Sequence, residues 1–220
     1  MHAIWATWRI PAMLSSGPKS FGFSLVELLI AMTIGLSAVA SLAGFVGNSA
    51  AINSKYLMLM RLNEELNTVA DLIAADLQRA GFNADISKAI EDPDIYLSQF
   101  YYPVVIDKHP KENSHSCILY AYDKDKNGVI NVEGSSEDYG FRLHNNAVEM
   151  RQDGANCTAG GWQDLTDTSV TKVEDLQFTI IFSSQSSMAI RIHLSASVKK
   201  HSSISQQIVR DVFLQSQYDV

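Results

Sequence analysis

Between Leu28 and Ser54 the chain carries no charged residue, and Lys55 is the first charge after Glu27. An apolar run of this length crosses a bilayer as a helix, because ~20 residues rising ~1.5 Å each match the hydrocarbon thickness. From Leu59 the pattern changes. Leu59, Leu62, Leu66, Val69, Ile73, Leu77 and Ala80 recur three and four residues apart, while Glu64, Asn67, Asp71 and Gln78 take the intervening positions. That is the stripe of an amphipathic helix with one buried face. No proline lies between Pro18 and Pro93, so one helix is predicted from about Phe23 to Ala80, ~85 Å long. Gly81 is placed to end it as a left-handed cap. Gly35, Gly44 and Gly47 weaken the apolar half by up to ~1 kcal/mol each, and let helices approach closely in lipid. A coiled-coil dimer is the alternative use of the stripe, although about three heptads are short for one.

Beyond Gly81 the period shortens to two. Strands are predicted at Tyr101–Ile106, Ser116–Tyr122, Gly140–His144, Ala147–Arg151, Val173–Phe182, Met188–Val198 and Ile204–Phe213. Ile190, Ile192, Leu194, Ala196 and Val198 alternate with Arg191, His193, Ser195 and Ser197, as in a half-buried strand. His144-Asn145-Asn146-Ala147 and Ser183–Ser187 read as hairpin connections. One long helix followed by consecutive antiparallel strands is an α+β fold, the helix laid on the sheet by its apolar stripe.

Charge narrows the partners. The net charge is -7, and both Arg9 and Lys19 lie in the first 22 residues, so the remainder is more acidic still. An acidic surface repels phosphate backbones, and no nucleic-acid partner is expected. Lys199-Lys200-His201 forms a short basic patch and reads as a solvated strand end. The two cysteines, Cys117 and Cys157, lie beyond the predicted span. A lone pair in an exported domain forms a disulfide most simply, contributing ~4 kcal/mol through a loop of about 40 residues.

Residues 18 to 32 read Pro-Lys-Ser-Phe-Gly-Phe-Ser-Leu-Val-Glu-Leu-Leu-Ile-Ala-Met. A secretory signal carries its cleavage site after the apolar run; here a lysine and a small glycine come before it, and a lone glutamate follows. This arrangement resembles the leader of type IV prepilins. The resemblance implies that prepilin peptidase cuts between Gly22 and Phe23, that Phe23 is N-methylated, and that Glu27, the fifth mature residue, pairs with the N-terminal amine of a neighbouring subunit. Physical chemistry singles out Glu27 as well, since a carboxylate at the edge of an apolar span costs a few kcal/mol without a partner. A start at Met13 instead of Met1 would leave a ten-residue leader, Met13 to Gly22. Ala75-Asp76-Leu77-Gln78-Arg79-Ala80-Gly81-Phe82, Cys117-Ile118-Leu119-Tyr120 and Tyr139-Gly140-Phe141-Arg142-Leu143 are similar to stretches of PilW-like minor pilins. The organisation implied is a leader over 1–22, a transmembrane assembly helix over 23–54, an amphipathic helix over 55–81 and a β-rich head over 82–220. The function implied is a minor pilin of the inner membrane, head in the periplasm, that takes part in initiating type IV pilus assembly. Its partners would be other pilins through the N-terminal helix, prepilin peptidase and the inner membrane. The alternatives are a minor pseudopilin of type II secretion and a pilus-tip adhesin.

Asp123-Lys124-Asp125-Lys126-Asn127-Gly128 matches the first six positions of a calcium loop, with Asp123, Asp125 and Asn127 as ligand candidates. Position twelve, Gly134, is not the expected glutamate, though Glu133 and Glu137 lie nearby, and Val129–Val132 reads as a strand. An Asx-rich turn explains the segment equally well. The sequence holds no HExxH, GxSxG or phosphate loop, its histidines show no ligand spacing, and no enzymatic activity is expected. Trp162 reads as packing and not as a binding platform.

Overall fold

The computed structural model describes residues 22–85, 91, 104–130, 136–151, 154–184 and 187–215. The long helix α1 runs Leu25–Leu77. The chain divides into two compact units at the Ala50/Ala51 bond. In the first, the helical side chains are exposed throughout, including Leu25, Leu28, Leu29, Ile30, Leu36, Leu42 and Phe45. This part of α1 is long and apolar enough to cross a membrane.

The second unit holds two antiparallel sheets. The first is a five-stranded meander of β1 (Val104–Asp107), β2 (Cys117–Ala121), β3 (Asp138–His144), β4 (Ala147–Met150) and β5 (Gln163–Asp164). The second is a three-stranded meander of β6 (Thr171–Ser183), β7 (Ser187–Val198) and β8 (His201–Gln215). The sheet expected from sequence is thus split in two. The halves meet through isolated backbone bonds, Val173 N–H to Asn146 O and Phe178 N–H to His115 O, both 2.9 Å.

The C-terminal part of α1 packs on this β-structure by the stripe the period implied. Leu62, Leu66, Val69, Ala70, Ile73 and Leu77 are buried in one core with Ile118, Phe141, Leu143, Leu176, Phe178, Ile190, Ile192 and Leu194. Leu59, expected in the stripe, is exposed; the buried face begins one turn later. Polar residues beside the stripe are tied to β8. The Arg210 guanidinium donates to Asp71 Oδ1 at 3.0 Å and Asn67 Oδ1 at 2.8 Å, and Gln206 Nε2 donates to Asn63 Oδ1 at 3.3 Å.

Ile190, Ile192, Leu194, Ala196 and Val198 of β7 are buried while Arg191 faces outward to Asp211 at 2.7 Å. Asn145 and Asn146 both take positive φ, 49° and 63°, the left-handed pair that matches a two-residue hairpin to strand twist. The register shift in β6 at Ile180/Phe182 breaks the alternation where Ile180, Ile181 and Phe182 are all exposed. Val129 and Ile130 are not in a strand, contrary to expectation. Asn131 and Val132, like Tyr101, Tyr102, Pro103 and the leader before Gly22, lie outside the described residues.

Candidate functional site

Three regions carry the residues singled out by sequence. In the first, Gly22, Phe23 and Ser24 precede α1 in non-helical conformation, and Glu27 sits in its first turn. An acid in the first helical turn complements the partial positive charge of the free N–H groups. Phe23 and the apolar residues after it are exposed. A glycine next to a chain that has not yet entered the helix leaves an accessible peptide bond ahead of an apolar rod.

In the second region, the helix end is fastened to β2. After Leu77 the chain tightens, with Arg79 N–H donating to Asp76 O and Ala80 N–H to Leu77 O, both 3.0 Å. Gly81 has φ 77°, the left-handed region expected of a cap, and its N–H donates to Ala121 O at 2.9 Å. Asp123 N–H returns to Phe82 O at 2.8 Å, so helix exit and strand exit are zipped together. Asp76 accepts from the Tyr120 hydroxyl and lies 3.5 Å from the Arg79 guanidinium, which in turn approaches the Tyr122 hydroxyl at 3.4 Å. The stretch Asp76–Phe82 therefore reads physically as a joint. Asp76 grips Tyr120 of β2 and Arg79 grips Tyr122 just beyond it, Leu77 and Ala80 fill the core, and Gly81 turns the chain.

Burial above all, and then the Asp76 carboxylate, push the Tyr120 phenol far above its ordinary range. A raised folded pKa means that the stabilisation is complete below the unfolded value of ~10 and is lost as pH climbs above it. Tyr120→Phe is expected to cost ~1.5–3 kcal/mol at neutral pH, as a hydrogen bond to a charged partner does. It should also flatten the loss of stability above pH ~10, a change read from urea midpoints at a series of pH values.

Beside this joint the structure brings together Asp123, Asp125 and Glu137, their carboxylate oxygens within 4.8 Å of one another. Asp123 and Glu137 are buried, Asp125 exposed. Asp123 accepts from the N–H groups of Ala84, Asn127 and Gly128, each at 3.0 Å. Glu137 Oε1 accepts from Lys124 N–H at 2.6 Å and Asp125 N–H at 3.1 Å. Asn127 caps locally, its Oδ1 accepting from Val129 N–H at 2.9 Å. The acids are thus engaged in folding the turn. Sequence reading noted Glu137 only as a neighbour of the loop, because its position did not fit a twelve-residue calcium pattern; its role as the cap for residues 124 and 125 needs the fold.

Cys117 at the start of β2 and Cys157 form a disulfide, Cα–Cα 6.1 Å, closing a separation of 40 residues. Next to it, Arg142 on β3 meets Glu149 on β4 at 2.6 Å, the two side chains only 4% and 9% exposed. The same guanidinium donates to Cys157 O and Ala159 O at 2.8 Å and lies 4.4 Å from the Trp162 ring centre. Trp162 is packing, with its indole N–H given to Asn156 O at 3.2 Å.

The fold and its N-terminus define a type IV pilin-like protein: a membrane-competent helix continuing into a helix-on-sheet head, preceded by a prepilin motif. The prokaryotic N-terminal methylation motif matches residues 17–43, which include Gly22, Phe23 and Glu27. The model of prepilin peptidase-dependent protein B matches residues 55–214, and the chain belongs to that family. Among curated proteins, prepilin peptidase-dependent protein B of Escherichia coli is 25% identical over 161 residues, covering 72% of this chain and 77% of the relative. An uncharacterised protein of Haemophilus influenzae is 26% identical over 201 residues, covering 73% and 82%. No solved structure matches the chain.

Proposed function

We propose that this protein is a minor pilin. It enters the inner membrane through the apolar part of α1, is cut by prepilin peptidase between Gly22 and Phe23 and methylated on Phe23, and takes part in initiating type IV pilus assembly. The observation that carries this reading is the apolar stretch that follows Phe23, whose large side chains are exposed from Leu25 to Ile52. In water each such side chain forfeits ~1.5–3 kcal/mol of burial, so the stretch requires lipid first and neighbouring helices afterwards. A removable charged leader and a glutamate five residues into the mature chain suit a segment that passes from the one environment to the other. The role is structural: Glu27 selects a neighbour's amine, the apolar helix packs into the filament core, and the head is carried outside.

The test is intact mass and N-terminal sequence of the protein from membranes and from sheared pili, in cells with and without prepilin peptidase. The expected chain begins with N-methylated Phe23 only where the peptidase is present, and Gly22→Asp leaves the leader attached. Surface piliation should fall on deletion of the gene while type II secretion continues. A leader still present in peptidase-competent cells would falsify the proposal.

A further inference from the structure

The apolar run ends at Ser54, and the next two turns of α1 carry Lys55 and Arg61. Arg61 meets Lys200 of the β7–β8 turn and His201, the first residue of β8, around a cavity of about 260 Å³ that is also lined by Met58, Leu62 and Val198. Among the described residues none of these three basic side chains forms an ion pair with a carboxylate. Glu65, an acid in the same lining, is held by neutral donors, accepting from Asp167 N–H at 2.9 Å and from the hydroxyl of Thr171, itself a lining residue, at 2.5 Å. On a chain of net charge -7, basic side chains without an ion pair around an apolar-lined hollow stand out from the surrounding surface.

Their place along the chain points to what they meet. Arg61 lies seven residues past Ser54, ~10 Å along a helix, while the polar layer outside each face of the hydrocarbon core is ~5–7 Å deep. Helical side chains lean toward the N-terminus, so Lys55 and Arg61 lean back toward the end of the apolar run, and long cationic side chains reach headgroups readily. We propose that this cavity binds the phosphate of an anionic phospholipid, with Arg61 and Lys200 as counter-charges. The glycerol and first acyl carbons then lie against Met58, Leu62 and Val198. The proposal rests on the membrane-insertion part of the function given above. It assigns the lipid contact a purpose: holding the head against the membrane until a filament withdraws the subunit.

The experiment uses the full chain in neutral detergent micelles, titrated with dioleoyl phosphatidylglycerol or dioleoyl phosphatidylcholine. Binding is read from the thermal unfolding midpoint by tryptophan fluorescence. Phosphatidylglycerol is expected to raise the midpoint in a saturable way and phosphatidylcholine to leave it where it is. Arg61→Gln with Lys200→Gln should weaken the apparent affinity about thirtyfold, two charges at the usual contribution near an anionic surface. Its midpoint without lipid should be that of the wild type, and Arg61→Lys with Lys200→Arg should keep the affinity. Equal responses to the two lipids, an unaltered response in the Gln variant, or the same shift with inorganic phosphate alone would overturn the proposal. So would a Gln variant with normal lipid response that fails to enter pili, which would assign the cations to an acidic surface of another subunit. Leader processing is measured separately, so an uncut leader would sink the minor-pilin reading without deciding this titration.

Discussion

Arg142→Ala is expected to destabilise the head by ~3–5 kcal/mol, the usual cost of leaving one member of a buried ion pair without its partner. The guanidinium is nearly sealed from water, and in one plane it serves Glu149 and the carbonyls of Cys157 and Ala159. Truncation strands a carboxylate and two carbonyls at once, and opens a hollow beneath Trp162, whose ring covers the guanidinium. Arg142→Lys should recover little, because one ammonium cannot span three acceptors in a plane. Arg142→Met with Glu149→Leu isolates the cause. Removing both charges and keeping the volume is expected to restore most of the loss in the β3–β4 pair, leaving the two carbonyl bonds unmade. Urea midpoints of the four proteins measure this. A double apolar variant as unstable as Arg142→Ala would show that the carbonyl contacts, and not the charge pair, dominate.

How far this arrangement could be read from sequence is itself informative. The two asparagines of the β3–β4 turn imply a two-residue hairpin, and that fixes the register in which Arg142 faces Glu149. What no local pattern shows is that this face of the pair is covered. β5 is two residues long, with both side chains exposed, and offers no alternation to detect, so the loop that closes over Arg142 looks like solvent-facing turn. The helix was legible because its stripe repeats over many turns. The strand β7 was legible because apolar Ile190, Ile192, Leu194, Ala196 and Val198 alternate with polar residues, and β6 and β8 because they are long and rich in β-branched residues. The division into two sheets was not, since hairpin signals say which neighbours pair but not where pairing stops between β5 and β6. The joint at Asp76–Phe82 shows the intermediate case. Its sequence suggested a helix end at Ala80 with Gly81 as cap; the helix ends at Leu77, and Gly81 makes the left-handed turn with its N–H given to Ala121 O, while the grip of Asp76 on Tyr120 depends on a strand 44 residues away.

Removing the disulfide is the second large effect expected. Cys117→Ala with Cys157→Ala should cost ~4 kcal/mol, the closure entropy of a loop of about 40 residues in the unfolded chain, against a total stability typical of domains of ~5–15 kcal/mol. Because the effect resides mostly in the unfolded state, the denaturant slope should also rise as the unfolded chain expands. Arg142→Ala should leave that slope unchanged. The two losses should not simply add. Cys157 is bound to β2 through sulfur and to Arg142 through its own carbonyl, so the two tethers together hold this loop across β3. With the disulfide gone, the loop can leave, Arg142 becomes hydrated, and a charge that was buried no longer demands its partner. In the cysteine-free background Arg142→Ala is therefore expected to cost less than in the wild type, with a coupling in the range of ~0.5–3 kcal/mol for contacting residues. Strict additivity would mean that the loop stays in place on Arg142 and Trp162 alone, and that the disulfide acts only on the unfolded chain.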